Sequence, residues 1–300
     1  MNYEIRNIKT KELEETLNLV KSVFDEFEAP YYSEYGTENF YKFANHENLE
    51  KMLKENLRIL VAKCDDKIIG MIAYRDYSHI SMLFVDKKYH HNGIAKELTL
   101  KMISDCKQNN KELLNVTVNS SPYAVGFYEK LGFVKQDEEK EVDGIKFTPM
   151  KKIIYELIKY EDKDFDELHQ IKKECFKWYV EKIYGWDDEI QIKYSKEFIE
   201  KYRQYINVIK YGNKKIGIFT NYIDENNESV ISLFFIDKEY QNLGIGGSIL
   251  KDQLNIDIKN NRNTILQVFK ENRARFLYNK MGFKVYEETE HHYKMRRKIV

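Results

Sequence analysis

The chain has 300 residues, which is enough for two domains that each bury a core. Its 49 basic and 49 acidic residues balance, so no global field draws it to nucleic acid or to an anionic membrane. No apolar run approaches a membrane-spanning length, and the N-terminal segment lacks the apolar core of a signal peptide. We expect a cytoplasmic protein with no nucleic-acid or membrane partner.

The cysteines and histidines give no sign of a metal site or a disulfide framework. The three cysteines are odd in number and far apart in the sequence. The adjacent histidines at 90–91 and 291–292 have no Cys or acidic partner at metal-ligand spacing, and adjacent residues rarely bind one ion together. We therefore expect no bound metal.

The predicted elements follow one order in each half of the chain. A short strand is followed by a helix with apolar residues at helical spacing, a hairpin, and a third strand that runs into a glycine-containing loop. A helix, another strand and a short helix come next. The predicted strands of the first half cover residues 3–7, 58–64, 68–74, 78–85 and 113–118. Those of the second half cover residues 153–159, 207–211, 215–221, 229–236 and 264–269.

This order predicts the α/β (α+β) class, with a mixed, mostly antiparallel central sheet flanked by helices in each half. Two sequence blocks also recur at one offset across half the chain. The recurring pairs are residues 84–95 with 235–246, and residues 127–133 with 277–283. Because unrelated blocks rarely keep one offset by chance, we predict two domains built on one plan, at residues 1–151 and 152–300.

The glycine loop of each half is a candidate anion site. A strand that ends in a short glycine loop before a helix presents free backbone N–H groups at the N-terminus of that helix, where pyrophosphate binds readily. Gly93 and Gly244 remove the Cβ that would block a phosphate, and Ala95 and Gly246 keep a second position small. The loops match neither the P-loop nor the dinucleotide-binding spacing. A tight packing corner remains the alternative.

The residues around these loops resemble a known family. Gln241-x-x-Gly244-x-Gly246 after the strand end 235–237 resembles the acetyl-CoA signature of the GNAT N-acyltransferase superfamily. Asn272 and the segment 278–283 resemble its later segment, and the first half carries counterparts at 119–121 and 127–133. The resemblance covers essentially the whole chain as two tandem domains. It departs at His90, where the family has Gln or Arg, so we expect the second site to bind the cofactor more tightly.

The resemblance implies that acetyl-CoA is the acyl donor in both halves. Backbone N–H groups of the loop would bind its pyrophosphate, and the third strand would pair with the pantetheine arm in a slot where the family's two central strands splay. An asparagine of each half would anchor the cofactor or the neighbouring strand. The residues assigned in this way are Leu83, Phe84, Val85, His91, Asn92, Gly93, Ile94, Ala95, Lys96 and Asn119, and Phe234, Phe235, Ile236, Asn242, Leu243, Gly244, Ile245, Gly246, Gly247 and Asn272.

Two tyrosines stand where the family places the acid that protonates the departing thiolate. Tyr128 and Tyr278 hold a proton at neutral pH, because an unperturbed tyrosine has a pKa of about 10. A tyrosine that only packs the sheet is the alternative in each half. His79 is a candidate base, with a partly buried structural histidine as the competing interpretation, and the sequence does not identify the general base.

The segments between the first strand and the hairpin form the acceptor side in this family. Residues 24–35 and 178–189 mix carboxylates with aromatic residues, which suits a cationic amine, although a solvated helix has the same pattern. The segments differ, so we expect different acceptors. The resulting hypothesis is an N-acetyltransferase that modifies a primary amine of a small molecule or peptide, with a homodimer as the candidate assembly. The alternative is a non-catalytic acyl-CoA-binding or scaffold protein.

Overall fold

The computed structural model describes residues 2–299, and the chain forms two compact units, Met1–Ile154 and Tyr155–Val300. The strands of the first unit are β1 (Glu4–Asn7), β2 (Leu57–Cys64), β3 (Lys67–Arg75), β4 (His79–Val85), β5 (Asn115–Ser120), β6 (Val134–Lys135), β7 (Lys140–Val142) and β8 (Ile145–Ile153). Its α-helices are α1 (Leu13–Phe27), α2 (Glu34–Phe43), α3 (His46–Lys54), α4 (Ile94–Asn109) and α5 (Val125–Lys130).

The second unit has fewer helices before its hairpin. Its strands are β9 (Glu156–Lys159), β10 (Ile206–Tyr211), β11 (Lys214–Ile223), β12 (Ser229–Ile236), β13 (Thr264–Phe269), β14 (Lys284–Glu288) and β15 (His292–Arg297). Its α-helices are α6 (Phe165–Tyr184), α7 (Asp188–Tyr202), α8 (Ile245–Lys259) and α9 (Ala274–Lys280). The first strand predicted for this half, 153–159, is in fact two: β8 ends at Ile153 and β9 begins at Glu156.

Each unit contains one mixed sheet, and the predicted α/β (α+β) class is confirmed. The strand order in the first unit is β1-β2-β3-β4-β5-β8-β6, with β7 paired to β8. In the second unit the order is β14-β15-β13-β12-β11-β10-β9. One neighbouring pair in each unit is parallel, β4 with β5 and β12 with β13, and the other pairs are antiparallel.

The sheet of the first unit is covered on both faces, which explains why its central strands are apolar at almost every position. Ile72 of β3 packs in a core with Leu98 of α4, while the adjacent Met71 packs in another core with Val20 of α1. Successive residues of a strand point to opposite faces, so a strand between two helical layers must be apolar on both. In the second unit, Ile218 of β11 packs against α6 and α7 in the same manner.

The parallel strand pairs are short, so in each unit the two central strands pair with each other over only part of their length. Strand β4 pairs with β5 only at His79↔Thr117 and Ile80↔Val118, and a bulge in β4 follows at Ser81. Strand β12 pairs with β13 over Ser229–Ile231 and also carries a register shift against β11. Beyond these pairs the two central strands part, as the family resemblance implies, and a slot opens between them.

Candidate functional site

The glycine loop of the first unit leads directly from β4 into α4. Gly93 is the N-cap residue of α4 with φ +82°, and His91 also has a positive φ of 64°. A Cβ built on Gly93 meets no atom within 4 Å. The first N–H groups of α4 have no partner within the helix, so they face open space at a positive helix end.

The loop of the second unit has the same backbone. Gly244 is the N-cap residue of α8 with φ +88°, and Asn242 has φ +62°. Left-handed conformations at these positions favour glycine and, less strongly, asparagine. The two loops therefore repeat one anion-binding geometry, although their side chains differ.

The departure at His90 leaves this geometry unchanged. The Nε2 atom of His90 lies 2.9 Å from the backbone carbonyl oxygen of Val85, so this nitrogen carries a proton and donates it. In the second unit, Nε2 of Gln241 donates to the carbonyl of Ile236 at 2.7 Å. Both side chains fasten the loop to the end of the preceding strand, and they do so through equivalent atoms.

The predicted pantetheine strand has one free edge. Residues 83–85 pair with β3 at Gly70, Met71 and Ile72, whereas the pairing with β5 ends at Ile80. Residues 234–236 of β12 are placed in the same way, paired with β11 and beyond the β13 pairing. A free strand edge offers backbone donors and acceptors to an extended ligand.

A cavity of about 1000 Å³ joins these features within the first unit. The residues that the sequence assigns to the first site and that line it are Leu83, Phe84, Val85, His91, Gly93, Ile94, Ala95, Lys96, Asn119 and Tyr128. Asn92 is not among the lining residues, and its side chain donates to the backbone carbonyl of His90. The hydroxyl of Ser81, at the β4 bulge, lines the same cavity and is buried without a hydrogen-bond partner.

Tyr128 is 4% exposed and lines the cavity from α5. Its ring makes edge contacts with Phe127 and Phe133. Burial raises the pKa of Tyr128 well above its ordinary value, and the nearby carboxylate of Glu28 raises it further. In the second unit, burial alone raises the pKa of Tyr278 to about 12, and Phe283 packs against its ring.

Glu28 is a functional candidate that the sequence did not single out. It follows the last residue of α1 and lines the cavity, where the hydroxyl of Ser121 donates to its Oε1 at 3.1 Å. Burial raises the pKa of Glu28 to about 7, and the hydrogen bonds from Ser121 and Tyr32 oppose this only in part. A carboxyl group with a pKa near neutrality can exchange protons at physiological pH.

No local signal distinguishes Glu28 from its acidic neighbours. Asp25 accepts a hydrogen bond from Tyr41 at the surface, and Glu26 forms an exposed ion pair with Lys87. All three carboxylates lie in one acidic and aromatic segment. Only the packing of the end of α1 against the end of β5 selects the one that faces the cavity.

His79 and the two predicted asparagines have defined environments. His79 lines the cavity with its Nδ1 2.8 Å from Oγ1 of Thr117, and burial together with Arg75 lowers its pKa to about 4. It is therefore a neutral imidazole. Asn119 is exposed and lines the cavity, whereas the side chain of Asn272 accepts from the N–H of Ala274 and caps the start of α9.

The second unit differs from the first at the position of Glu28. A buried acid that accepts a backbone N–H precedes the long helix in each unit, Glu12 before α1 and Asp164 before α6. Val180 lies as many residues after Asp164 as Glu28 lies after Glu12, so Val180 corresponds in position to Glu28.

The partner of Glu28 is replaced as well. Val118 of β5 pairs with Met150, and Leu266 of β13 pairs with Met295 at the equivalent place. Ser121 lies three residues after Val118 and Phe269 lies three residues after Leu266, so the two residues correspond. The ring of Phe269 stacks on Tyr179, with centroids 5.4 Å apart. Valine thus replaces the carboxylate-bearing residue, and a stacked phenylalanine replaces its hydroxyl partner.

Two kinds of feature are absent from residues 2–299. No group of three or more His, Cys, Asp or Glu side chains is arranged to hold a metal ion. No helix in this range combines the length and the apolar character needed to cross a membrane.

Comparison with known proteins gives a family match in both halves of the chain. The profile of the acetyltransferase (GNAT) domain matches residues 28–154 and 179–294. An uncharacterised N-acetyltransferase of Methanocaldococcus jannaschii is 28% identical over an alignment of 151 residues. The alignment covers 47% of this chain and 62% of that protein. The chain therefore spans less than two thirds of the length of this relative.

Solved structures give weaker likenesses. A GCN5-related N-acetyltransferase of Rhodopseudomonas palustris has a TM-score of 0.46 at 20% identity and covers 51% of this chain and 97% of its own. The PaiA N-acetyltransferase of Thermoplasma acidophilum, solved in complex with coenzyme A, has a TM-score of 0.42 at 24% identity. The match covers 51% of this chain and 100% of that protein's chain. On the strength of the profile match, the chain belongs to the GNAT acetyltransferase family, with one matched region in each half.

Proposed function

We propose that this protein is an N-acetyltransferase that transfers an acetyl group from acetyl-CoA to a primary amine, with the chemistry in the first unit. One observation carries the proposal. A single cavity brings together the glycine loop, the free edge of β4, the buried Tyr128 and the half-buried Glu28. These are the parts needed to hold an acyl donor, deprotonate an amine and protonate a leaving thiolate.

The residues of the first unit fit acetyl-CoA. The left-handed Gly93 leaves room for a phosphate where another residue would carry a Cβ, and the unpartnered hydroxyl of Ser81 lies in the cavity wall. When bound, acetyl-CoA supplies an acyl group that its thioester already activates. Backbone N–H groups of residues 91–96 would hold the pyrophosphate, and residues 83–85 would pair with the pantetheine arm. Residues 242–247 and 234–236 offer the same contacts in the second unit.

Glu28 is the proposed general base. A base works best when its pKa is close to the working pH, because it is then largely ionised yet still holds the proton it receives. The pKa of Glu28, about 7, meets this condition, whereas the pKa of His79, about 4, makes that imidazole a weaker acceptor. Ser121 fixes the carboxyl group through its hydrogen bond.

Tyr128 is the proposed general acid. Its raised pKa keeps the phenol protonated until a strong base forms beside it, and a departing thiolate is such a base. Glu28 and Tyr128 lie in one cavity and interact electrostatically, so a proton gained by Glu28 makes Tyr128 a stronger acid. The two groups therefore suit opposite ends of one transfer.

For the second unit we favour the alternative role, an acyl-CoA-binding domain that lacks a base. Val180 and Phe269 stand where the first unit has Glu28 and Ser121, and the stack of Phe269 on Tyr179 occupies that region. Tyr278 remains a candidate acid by position. Its pKa is raised by burial alone, with no carboxylate contribution among the described residues.

The first prediction concerns the number of binding sites. Gly93→Val forces a β-branched residue into a left-handed conformation and places its side chain in the phosphate space. Calorimetric titration with acetyl-CoA should then show one site per chain in place of two. Gly244→Val is the matched variant and should remove the other site. Two sites per chain in both variants would show that the loops are only packing corners.

The second prediction concerns the free energy of unfolding, which the ionised carboxyl group of Glu28 lowers. Its folded-state pKa, about 7, lies above the ordinary value of 4.5, so the folded state holds this proton more tightly than the unfolded state. The stability contributed by the protonated form is complete below pH 4.5 and is lost as the pH rises through 7. Glu28→Gln should therefore match the wild type near pH 4.5 and exceed its stability at pH 8 by about 3 kcal/mol.

Thermal melting of both proteins across this pH range measures the difference. Glu26→Gln is the control, because Glu26 forms an exposed ion pair with Lys87 and should give no such pH-dependent gap. A difference between wild type and Glu28→Gln that stays constant with pH would contradict the raised pKa.

The third prediction concerns the pH profile of the reaction. In the wild type, kcat/KM should fall below pH 7 as Glu28 becomes protonated. Glu28→Gln should lower kcat/KM by about 10²–10⁴-fold and remove this limb of the profile. A variant that keeps the inflection near pH 7 would assign it to another group.

The fourth prediction separates the two tyrosines. Tyr128→Phe keeps the ring and removes the proton, so turnover should fall by about 10²–10⁴-fold while acetyl-CoA affinity stays nearly constant. Tyr278→Phe is the matched variant in the second unit and should leave turnover within a few-fold of the wild type. If Tyr128→Phe is fully active, the thiolate takes its proton from elsewhere; if only Tyr278→Phe is impaired, the chemistry lies in the second unit.

A further inference from the structure

A hairpin closes one side of the cavity in the first unit. The turn between β7 and β8 contacts α2. Nδ2 of Asn39 donates to the backbone carbonyl of Asp143 at 3.0 Å, and the N–H of Ser33, the N-cap residue of α2, donates to the backbone carbonyl of Gly144 at 3.3 Å. A Cβ on Gly36 would lie 2.0 Å from the carbonyl oxygen of Gly144. This close approach depends on glycine at position 36, and it holds the hairpin turn against α2. We call the part of the cavity that is lined by Glu28, α1, α2 and this hairpin the chamber.

The walls of this chamber are mainly apolar. Helices α1 and α2 contribute aromatic and branched side chains. The start of β8 adds a phenylalanine, and the residue before the N-cap of α2 adds a tyrosine. The residues that form this wall are Val23, Phe27, Tyr32, Phe40, Phe43 and Phe147. An apolar group gains free energy by leaving water for such a chamber, and it gains in proportion to its area.

Charge inside the chamber is limited. Of the four acidic residues in the segment 24–35, Glu28 alone lines the cavity, while Asp25, Glu26 and Glu34 are exposed. Asp143 also lines the cavity, and it is exposed at the hairpin turn. A second cationic group placed among the aromatic rings would find no buried carboxylate there, because Asp143 is exposed at the turn, and its desolvation would be costly.

On the basis of the proposed function, we propose that the acceptor is a small primary amine with a single positive charge and an aromatic or aliphatic body. The amine would lie at Glu28, and the body would lie among Phe40, Phe43 and Phe147. The sequence pattern of mixed carboxylates and aromatic residues suggested a cationic acceptor. The structure narrows the expectation, because most of those carboxylates face solvent. We therefore expect polyamines and amino sugars to be poor acceptors.

The test compares two amines that differ by one charge. The full-length protein is assayed with acetyl-CoA and either hexylamine or 1,6-diaminohexane, and the acetylated product is identified by mass spectrometry. We expect kcat/KM to be about 100-fold higher for hexylamine, because the second ammonium of the diamine must be buried without a partner. 2-Phenylethylamine should be at least as good as hexylamine. A diamine within three-fold of hexylamine would overturn the inference.

Variants of the chamber provide an independent readout. Phe147→Glu, or Phe43→Glu as a second site, adds a carboxylate and should reduce the preference for hexylamine to less than about 10-fold by pairing with the distal ammonium. Tyr35→Glu is the control, since Tyr35 is exposed on α2 and does not line the cavity, and the preference should stay unchanged. Calorimetric titration that still gives two acetyl-CoA sites per chain shows that the first unit of each variant is folded. If neither chamber variant folds, the wild-type amine comparison decides alone.

Two further outcomes are distinguishable. If a tetrapeptide with N-terminal phenylalanine is acetylated faster than 2-phenylethylamine, the acceptor is a polypeptide and the inference is wrong, although the proposed function stands. If acetyl-CoA binds but neither any amine nor the peptide is acetylated, the proposed function is wrong and the inference falls with it.

Discussion

The early parting of two parallel strands governs the rest of the first unit. Strand β4 pairs with β5 at only two positions, and the bulge at Ser81 then turns it away. Buried backbone groups need hydrogen-bond partners, so a strand that separates from its neighbour leaves donors and acceptors along residues 83–85 that a ligand can use. The cavity is lined by the glycine loop and by Glu28 as well as by the strand residues of this slot.

The loop geometry is tied to the same strand, which explains why it tolerates sequence change. The side chain of His90 in one unit and of Gln241 in the other holds the loop to the last carbonyl of the strand. What this position requires is a nitrogen donor of the right reach, and two residue types supply it. The anion site itself consists of backbone N–H groups after a left-handed glycine, so it is insensitive to most side chains.

The sequence predicted the parts of this fold that depend on local pattern. Central strands buried on both faces are apolar throughout, and a left-handed N-cap demands glycine, so both were visible. Helices α2 and α3 and the β7–β8 hairpin were not predicted. Glu28 was equally hidden, because its burial depends on how the end of α1 meets Ser121 far along the chain. The contact of the Asn272 side chain with the N–H of Ala274 at the start of α9 was not visible in the sequence either, and its assignment to the cofactor stays a prediction.

The difference between the two units follows from the free energy of burying an acid. At neutral pH the carboxyl group of Glu28 destabilises its own fold, since burial raises its pKa and part of the population must ionise in an apolar setting. A unit without a need for a base gains stability by replacing that group with apolar side chains. The second unit has Val180 and the stack of Phe269 on Tyr179 at this place, and it keeps the glycine loop and the parted strands. Keeping the backbone frame while Val180 and Phe269 stand in place of Glu28 and Ser121 agrees with the proposed division of roles, in which the first unit carries a base and the second does not.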